Sequence, residues 1–231
     1  MKRSEIYRVA KPPGNDPEQH HFLMKYRLII FDFDGTLANS LPWVKTIMNA
    51  LADKYHVRRI EDSEIETLRG FDARTFIKHM EVPLWKIPLI SSDLKSMMAK
   101  DIQQIPLFDE IAGQLKQLSE MGVTLAVVSS NTYENVRQVL GPDNAGLFQY
   151  YECGASMFGK KTKFRKILKH SGISHDEALA IGDEIRDSEA ARSEKIAFGA
   201  VAWGYTRLDA LQAQSPEEVF MSVDEITKKI R

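Results

Sequence analysis

Residues 27–37 read Arg27-Leu28-Ile29-Ile30-Phe31-Asp32-Phe33-Asp34-Gly35-Thr36-Leu37, a short apolar run that ends on two carboxylates one residue apart. So brief and unbroken an apolar run fits a strand buried on both faces of a sheet. Two acids at the carboxyl end of such a strand fall in the crevice where open parallel α/β sheets bind ligands. Neighbouring carboxylates repel unless a cation or a shared proton relieves them, and Mg²⁺ takes one or two carboxylates together with water and substrate oxygens. Gly35 lets the chain turn sharply beside the acids. The plain alternative is a strand-to-turn junction, since Asp-Gly is a common turn pair.

Three further apolar runs follow at 123–128, 178–181 and 197–203, and helical periodicity fills the intervals at 108–121, 133–140, 163–170 and 184–194. Short apolar strands alternating with amphipathic helices predict βαβ units and an α/β fold with a doubly wound, Rossmann-like parallel sheet. Residues 39–104 break that alternation. Their apolar spacing is helical throughout (Val44, Ile47, Met48 and Leu51; Ile65 and Leu68; Phe76, Ile77 and Met80; Leu94, Met97 and Met98), which predicts a separate helical unit inserted after the first strand. Residues 1–25, with Pro12, Pro13, Gly14, Asn15, Asp16 and Pro17 crowded together, read as a loop-like N-terminal extension in which His20 and His21 suggest no metal site.

Composition excludes several classes. Of 231 residues, 43% are hydrophobic and 27% charged, ordinary values for a soluble globular protein. Lys+Arg at 31 against Asp+Glu at 32 leaves a net charge of -1, with no basic excess to ask for nucleic acid or an anionic membrane surface. The single cysteine, Cys153, rules out an intrachain disulfide framework and a multi-cysteine zinc site, and reads as structural. No apolar run approaches the ~18 residues of a membrane helix, and the first residues lack the apolar core of a secretory signal. A cytoplasmic protein is the expectation.

Three more segments carry candidate chemistry. Ser129-Ser130-Asn131 follows an apolar strand and precedes a helix, where hydroxyl and backbone N–H groups suit an oxyanion; N-capping is the plain alternative. Gly159-Lys160-Lys161-Thr162-Lys163 opens a helix with lysines, which either neutralise a phosphate or form a solvated face. Ile181-Gly182-Asp183-Glu184-Ile185-Arg186-Asp187 places a second pair of acids at a strand end, with helix capping as the alternative.

In order, DFDGTLANS (32–40), VVSSN (127–131), GKKTK (159–163) and GDEIRD (182–187) resemble the four motifs of the haloacid dehalogenase (HAD) superfamily, in its phosphatase-like branch with an α-helical cap. The later Trp203-Gly204-Tyr205 is similar to the phosphoglycolate-phosphatase-like members. The resemblance implies a catalytic core over 26–38 and 105–231, with a cap over 39–104. It implies an Mg²⁺-dependent phosphatase that hydrolyses a small phosphorylated metabolite through an aspartyl phosphate. Asp32 would be the nucleophile, and Asp34 first general acid and then general base. The metal set would be Asp32, Asp34 (through its backbone carbonyl), Asp183 and Asp187. Ser129 and Lys160 would hold the phosphoryl oxygens, with Gly35, Thr36, Ser130 and Asn131 also in the phosphate site. Lys163 rivals Lys160, because residues three apart share a helix face. Asp34 favours phosphoryl chemistry, since the family's dehalogenases resemble DxYGT here. The third motif lacks the Lys-Pro-x-Pro form and the second has two serines in place of Thr-Asn, which leaves the substrate open. Arg69, between two cap helices, stands where a loop reaches an anionic substrate, with a surface arginine as the alternative. A phosphomutase on the same scaffold is the nearest rival activity. A phospho-Asp signalling domain is a more distant one, since its phosphorylated Asp lies on a later strand.

Overall fold

The apolar runs become strands, and the computed structural model describes residues 7–8, 24–154 and 159–230. In chain order these strands are β1 (Tyr7–Arg8), β2 (Leu28–Phe31), β3 (Thr124–Val128), β4 (Tyr150–Glu152), β5 (Ala178–Gly182), β6 (Ala197–Val201) and β7 (Glu218–Phe220). They form one sheet in the order β1-β4-β3-β2-β5-β6-β7, parallel except for β1, which runs antiparallel to β4. The central strand β2 is flanked by β3 and β5 in matched register, Phe31 lying beside Val127 on one side and Ile181 on the other. The carboxyl ends of all three therefore open at one level.

Alternation along the strands divides the core into two layers. Leu28, Ile30, Ala126, Val128, Ala178 and Ala180 pack with Phe164 and Ile167 of α7 (Lys160–Ser171) and with Ala190 and Ala191 of α8 (Ile185–Ser193). Ile29, Phe31, Leu125, Val127, Leu179 and Ile181 pack on the other face. They meet Ile111, Leu115 and Leu118 of α5 (Ile111–Glu120) and Ile226 and Ile230 of α10 (Glu225–Ile230). Each such side chain, fully buried, contributes ~1.5–3 kcal/mol of transfer free energy. Both faces being covered explains why the strands read as continuous apolar runs.

Four helices stand between β2 and α5, namely α1 (Leu41–Tyr55), α2 (Ile65–Leu68), α3 (Ala73–His79) and α4 (Ile87–Lys100). This helical cap is less separate than its periodicity predicts. Trp43, Ile47 and Leu51 of α1, with Met98 of α4 and Ile102, belong to the same apolar cluster as α5 and the sheet. The Trp43 indole N–H also donates to Asp101 Oδ2 at 3.0 Å.

The sequence pattern predicts neither β4 nor β7, each of three residues and each carrying a glutamate. The remaining helices are α6 (Tyr133–Ala145), which continues through a break at Gly141 and Pro142, and α9 (Leu208–Gln212). Within the extension read as a loop, Tyr7–Arg8 pair with β4 as an edge strand; the remainder of 1–23, with His20 and His21, lies outside the described residues. Among the described residues no helix is long and apolar enough to cross a membrane.

Candidate active site

Asp32 is the first residue past β2, and its backbone N–H donates to Ile181 O at 2.8 Å, which continues the pairing with β5. The chain then folds back, with Gly35 N donating to Ala38 O and Leu37 N to Phe33 O, both at 2.9 Å. Gly35 takes φ +80° in this turn, and a Cβ there would lie 2.3 Å from Asp183 Oδ2. Only glycine fits. Asp183 itself is the first residue past β5, Asp187 stands in the first turn of α8, and Lys160 is the first residue of α7. All four ionisable side chains are buried.

One carboxylate oxygen from each of Asp32, Asp183 and Asp187 lies within 4.8 Å of the others. Lys160 Nζ sits 2.6 Å from Asp32 Oδ2 and forms an ion pair with Asp187 Oδ1. Asp183 accepts from Thr36 Oγ1 on one oxygen and from Tyr205 N on the other, both at 2.7 Å. Asp187 Oδ2 accepts from Glu184 N at 3.1 Å, half of a reciprocal cap on α8. Gly204 closes over Asp183 so tightly that a Cβ there would lie 2.1 Å from the Asp183 Cβ.

Positive charge is short in this cluster. Burial, then Glu184, Asp32 and Asp187, push the Asp183 carboxyl well above its usual range. Burial pushes Asp187 up to about 7, with Lys160 opposing. Burial works against the Lys160 ammonium, yet Asp187 and Asp32 together hold its pKa above the ordinary value. The Arg186 guanidinium lies near enough to act on Asp32 and Asp187 but is itself paired with Glu184. Three buried acids with oxygen ligands only, one lysine against them and a residual demand for charge therefore fit a hard divalent cation.

Asp34 points elsewhere. Its Oδ1 accepts from Ser40 Oγ at 3.1 Å and its Oδ2 from Asn131 Nδ2 at 3.2 Å, so its carboxylate is not part of the acid cluster. Although the residue keeps some solvent contact, burial and the nearby Asp32 charge push its pKa up to about 6.

The other sequence candidates divide by what they touch. Ser129 is fully buried, its Oγ accepting from Asn131 N at 2.9 Å, and Ser130 is half-buried. Asn131 spends its side chain on Asp34, Met98 Sδ, Thr132 N and Asn135. Thr36, likewise, is committed to Asp183. Of the two lysines, Lys160 enters the acid cluster, while Lys163 Nζ donates to Ser129 O and to Gly154 O, the latter at 2.7 Å. Burial lowers the Lys163 pKa to about 8. Arg69 does reach the core from the cap, but its Nε donates to Tyr205 O at 3.0 Å, its Nη2 to Gly204 O at 3.2 Å and its Nη1 to Glu66. The guanidinium is a latch between cap and core.

Two residues of the site fall within stretches the sequence singles out but receive no role there. Ser40 precedes Leu41-Pro42 and has the look of a helix N-cap, yet its side chain makes no cap bond and serves Asp34 instead. Tyr205 joins Asp183 through its N–H and Ser40 through its hydroxyl, at 2.8 Å. The acids and small residues of DFDGTLANS carry no mark of that partnership.

Known proteins share this arrangement of chain. The phosphoglycolate phosphatase of Synechococcus elongatus is 30% identical over 190 residues, covering 82% of this chain and 90% of the relative. The tyrosine-protein kinase PtkA of Mycobacterium tuberculosis is 25% identical over 231 residues, covering 96% of this chain and 76% of the relative. The structure of a haloacid dehalogenase-like hydrolase from Streptococcus pneumoniae superposes with a TM-score of 0.73 at 20% identity, covering 90% of this chain and 99% of that one. Residues 29–201, from the central strand to the end of β6, match the haloacid dehalogenase-like hydrolase family, and to that family the chain belongs.

Proposed function

We propose that this phosphatase hydrolyses the phosphate monoester of a small phosphorylated metabolite by way of an aspartyl phosphate on Asp32, with Mg²⁺ held by Asp32, Asp183 and Asp187. The observation that carries the reading is the Asp32 carboxylate at the end of the central strand, 2.6 Å from Lys160 Nζ and grouped with two further buried acids. When bound, Mg²⁺ supplies neutralising charge for the phosphoryl oxygens. Lys160 adds a second positive charge, placed directly against the Asp32 carboxylate.

The Asp32 carboxylate attacks phosphorus as the ester oxygen leaves, and Asp34 donates the proton that makes that oxygen an alcohol. Asp34, now ionised, takes a proton from water as that water attacks the aspartyl phosphate. Inorganic phosphate leaves, and Asp32 and the protonated Asp34 are restored. A pKa near 6 lets Asp34 serve in both roles at neutral pH. The helical insert over 39–104 acts as a cap whose contacts at Arg69 and Met98 exclude water while the acyl phosphate exists. The relative named phosphoglycolate phosphatase supports a small, anionic substrate.

The test is phosphate release from p-nitrophenyl phosphate and from 2-phosphoglycolate, with and without Mg²⁺. Asp32→Asn is expected to abolish release; full activity in that variant would sink the reading. With a sugar phosphate added as a third substrate, isomerised product without free phosphate would instead mark a mutase.

A further inference from the structure

Helix α4 of the cap lies over the acid that serves the leaving group. Met98 is buried and its Sδ accepts from Asn131 Nδ2 at 2.7 Å, the same amide that donates to Asp34 Oδ2 at 3.2 Å. One turn earlier, the Lys95 carbonyl accepts from Asn135 Nδ2 at 3.1 Å, so this turn of α4 is fixed at two points, to Asn131 before α6 and to Asn135 in its first turn. Lys95 and Met98 are three residues apart and share a helix face. Lys95 thereby lies on the face of α4 that meets Asn131, and its ammonium is near enough to feel the Asp34 charge.

Its ammonium has no match there. Lys95 is half-buried, and among the described residues no hydrogen bond or ion pair engages its Nζ. Burial lowers its pKa, with the Asp34 charge as the opposing influence. A cation withdrawn from water without a partner is costly unless an anion arrives to meet it. Arg69, the cap cation that sequence reasoning singles out, is already committed to Glu66 and to the Gly204 and Tyr205 carbonyls.

We infer that Lys95 is a specificity-determining residue that pairs with a second anionic group on the leaving-group side of the substrate. This assignment rests on the phosphatase reading above. Asp34 protonates the leaving oxygen, so a group that borders Asp34 from the cap meets what that oxygen carries. The matching chemistry is a carboxylate or a second phosphate close to the ester. Charge-assisted contacts of this kind are worth about tenfold or more in affinity.

Steady-state kinetics of the full chain with Mg²⁺ test this on three substrates: 2-phosphoglycolate, a sugar bisphosphate and p-nitrophenyl phosphate, whose leaving group has no second anion. Lys95→Met and Lys95→Gln are expected to lower the kcat/KM ratio of one anionic substrate over p-nitrophenyl phosphate by about tenfold or more, chiefly through KM. Which of the two ratios falls tells carboxylate from phosphate, and Lys95→Arg is expected to restore most of it. Ratios within about threefold of wild type in both arms overturn the assignment. A wild-type protein that releases phosphate from none of the three overturns the phosphatase reading itself, which separates the two failures.

Discussion

The Tyr205 hydroxyl lies 2.8 Å from Ser40 Oγ, and Ser40 Oγ donates to Asp34 Oδ1 at 3.1 Å. Ser40 has one hydroxyl proton, so giving it to Asp34 makes Ser40 the acceptor and Tyr205 the donor. Burial, then the Asp34 charge, raise the Tyr205 pKa, which keeps the phenol protonated for that task. The same tyrosine donates its backbone N–H to Asp183 and accepts from Arg69 of the cap. A single residue thus reaches Asp34 through Ser40 and touches both the acid cluster and the cap.

Removing this relay should misplace Asp34 without removing it. We predict that Tyr205→Phe lowers kcat by about tenfold and Ser40→Ala by more, within the ~10²–10⁴ that a positioned acid contributes. The loss should be larger for alkyl phosphates, which need a proton at the leaving oxygen, than for p-nitrophenyl phosphate. Equal losses on both substrates would contradict a role exerted through Asp34.

Gly204 and Gly35 have no room for a methyl group, with Cβ positions 2.1 Å from the Asp183 Cβ and 2.3 Å from Asp183 Oδ2. Gly204→Ala should therefore displace Asp183. A shift of this size is expected to cost ~10²-fold or more in kcat/KM and to weaken Mg²⁺ binding, read by calorimetric titration. Retained metal affinity would argue that the loop yields instead.

Charge crowding predicts opposite effects in the presence and absence of metal. In chelator, Asp183→Asn relieves repulsion among buried carboxylates and should raise the thermal midpoint above wild type. With saturating Mg²⁺ the order should reverse, since bound ligand at ~100 times its Kd adds ~2.7 kcal/mol to the protein that binds it. Thermal melts of both proteins in both conditions decide the matter; an unchanged order would refute the metal assignment.

The two lysines of α7 should separate by assay. Lys160→Met leaves Asp32 and Asp187 without their counter-ion and is expected to lower both activity and stability, as loss of one partner of a buried ion pair does by ~3–5 kcal/mol. Lys163 answers to pH. Its folded pKa, about 8, lies below the ordinary 10.5, so between those values the unfolded chain binds more protons. Stability then rises with pH. Wild type should gain on Lys163→Met by roughly 3 kcal/mol as pH climbs through that window, as followed by urea unfolding. A constant difference would show that Lys163 titrates normally.

Where a property is carried by residues adjacent in sequence, the sequence displays it. Leu28–Phe31 leading into Asp32, and Ala178–Gly182 leading into Asp183, announce both the strand and the acid at its end. The properties that escape depend on separate segments meeting. Lys160 and Lys163 share a face of an isolated helix, and only the start of α7 at Lys160, beside Asp32 and Asp187, tells them apart. Ser40 carries the signature of a cap, and its partner is set by the tight turn at Gly35. Arg69 is visible as a cap cation, but the Gly204 and Tyr205 carbonyls that absorb it come from the far end of the chain. Strands as short as Tyr150–Glu152 are recruited by the edge of an existing sheet and need little propensity of their own.

Because β2 is the first strand of the parallel set in the chain and the middle one in the sheet, its acid and the acids it works with are made far apart in time. A ribosome must deliver everything from Leu28 to Asp187 before the cluster can close. Any single backbone cut between Asp34 and Asp183 puts the Asp32 carboxylate on one fragment and the Asp183 carboxylate on the other. Activity recovered from such a nicked protein would be a direct count of fragments that have found each other again.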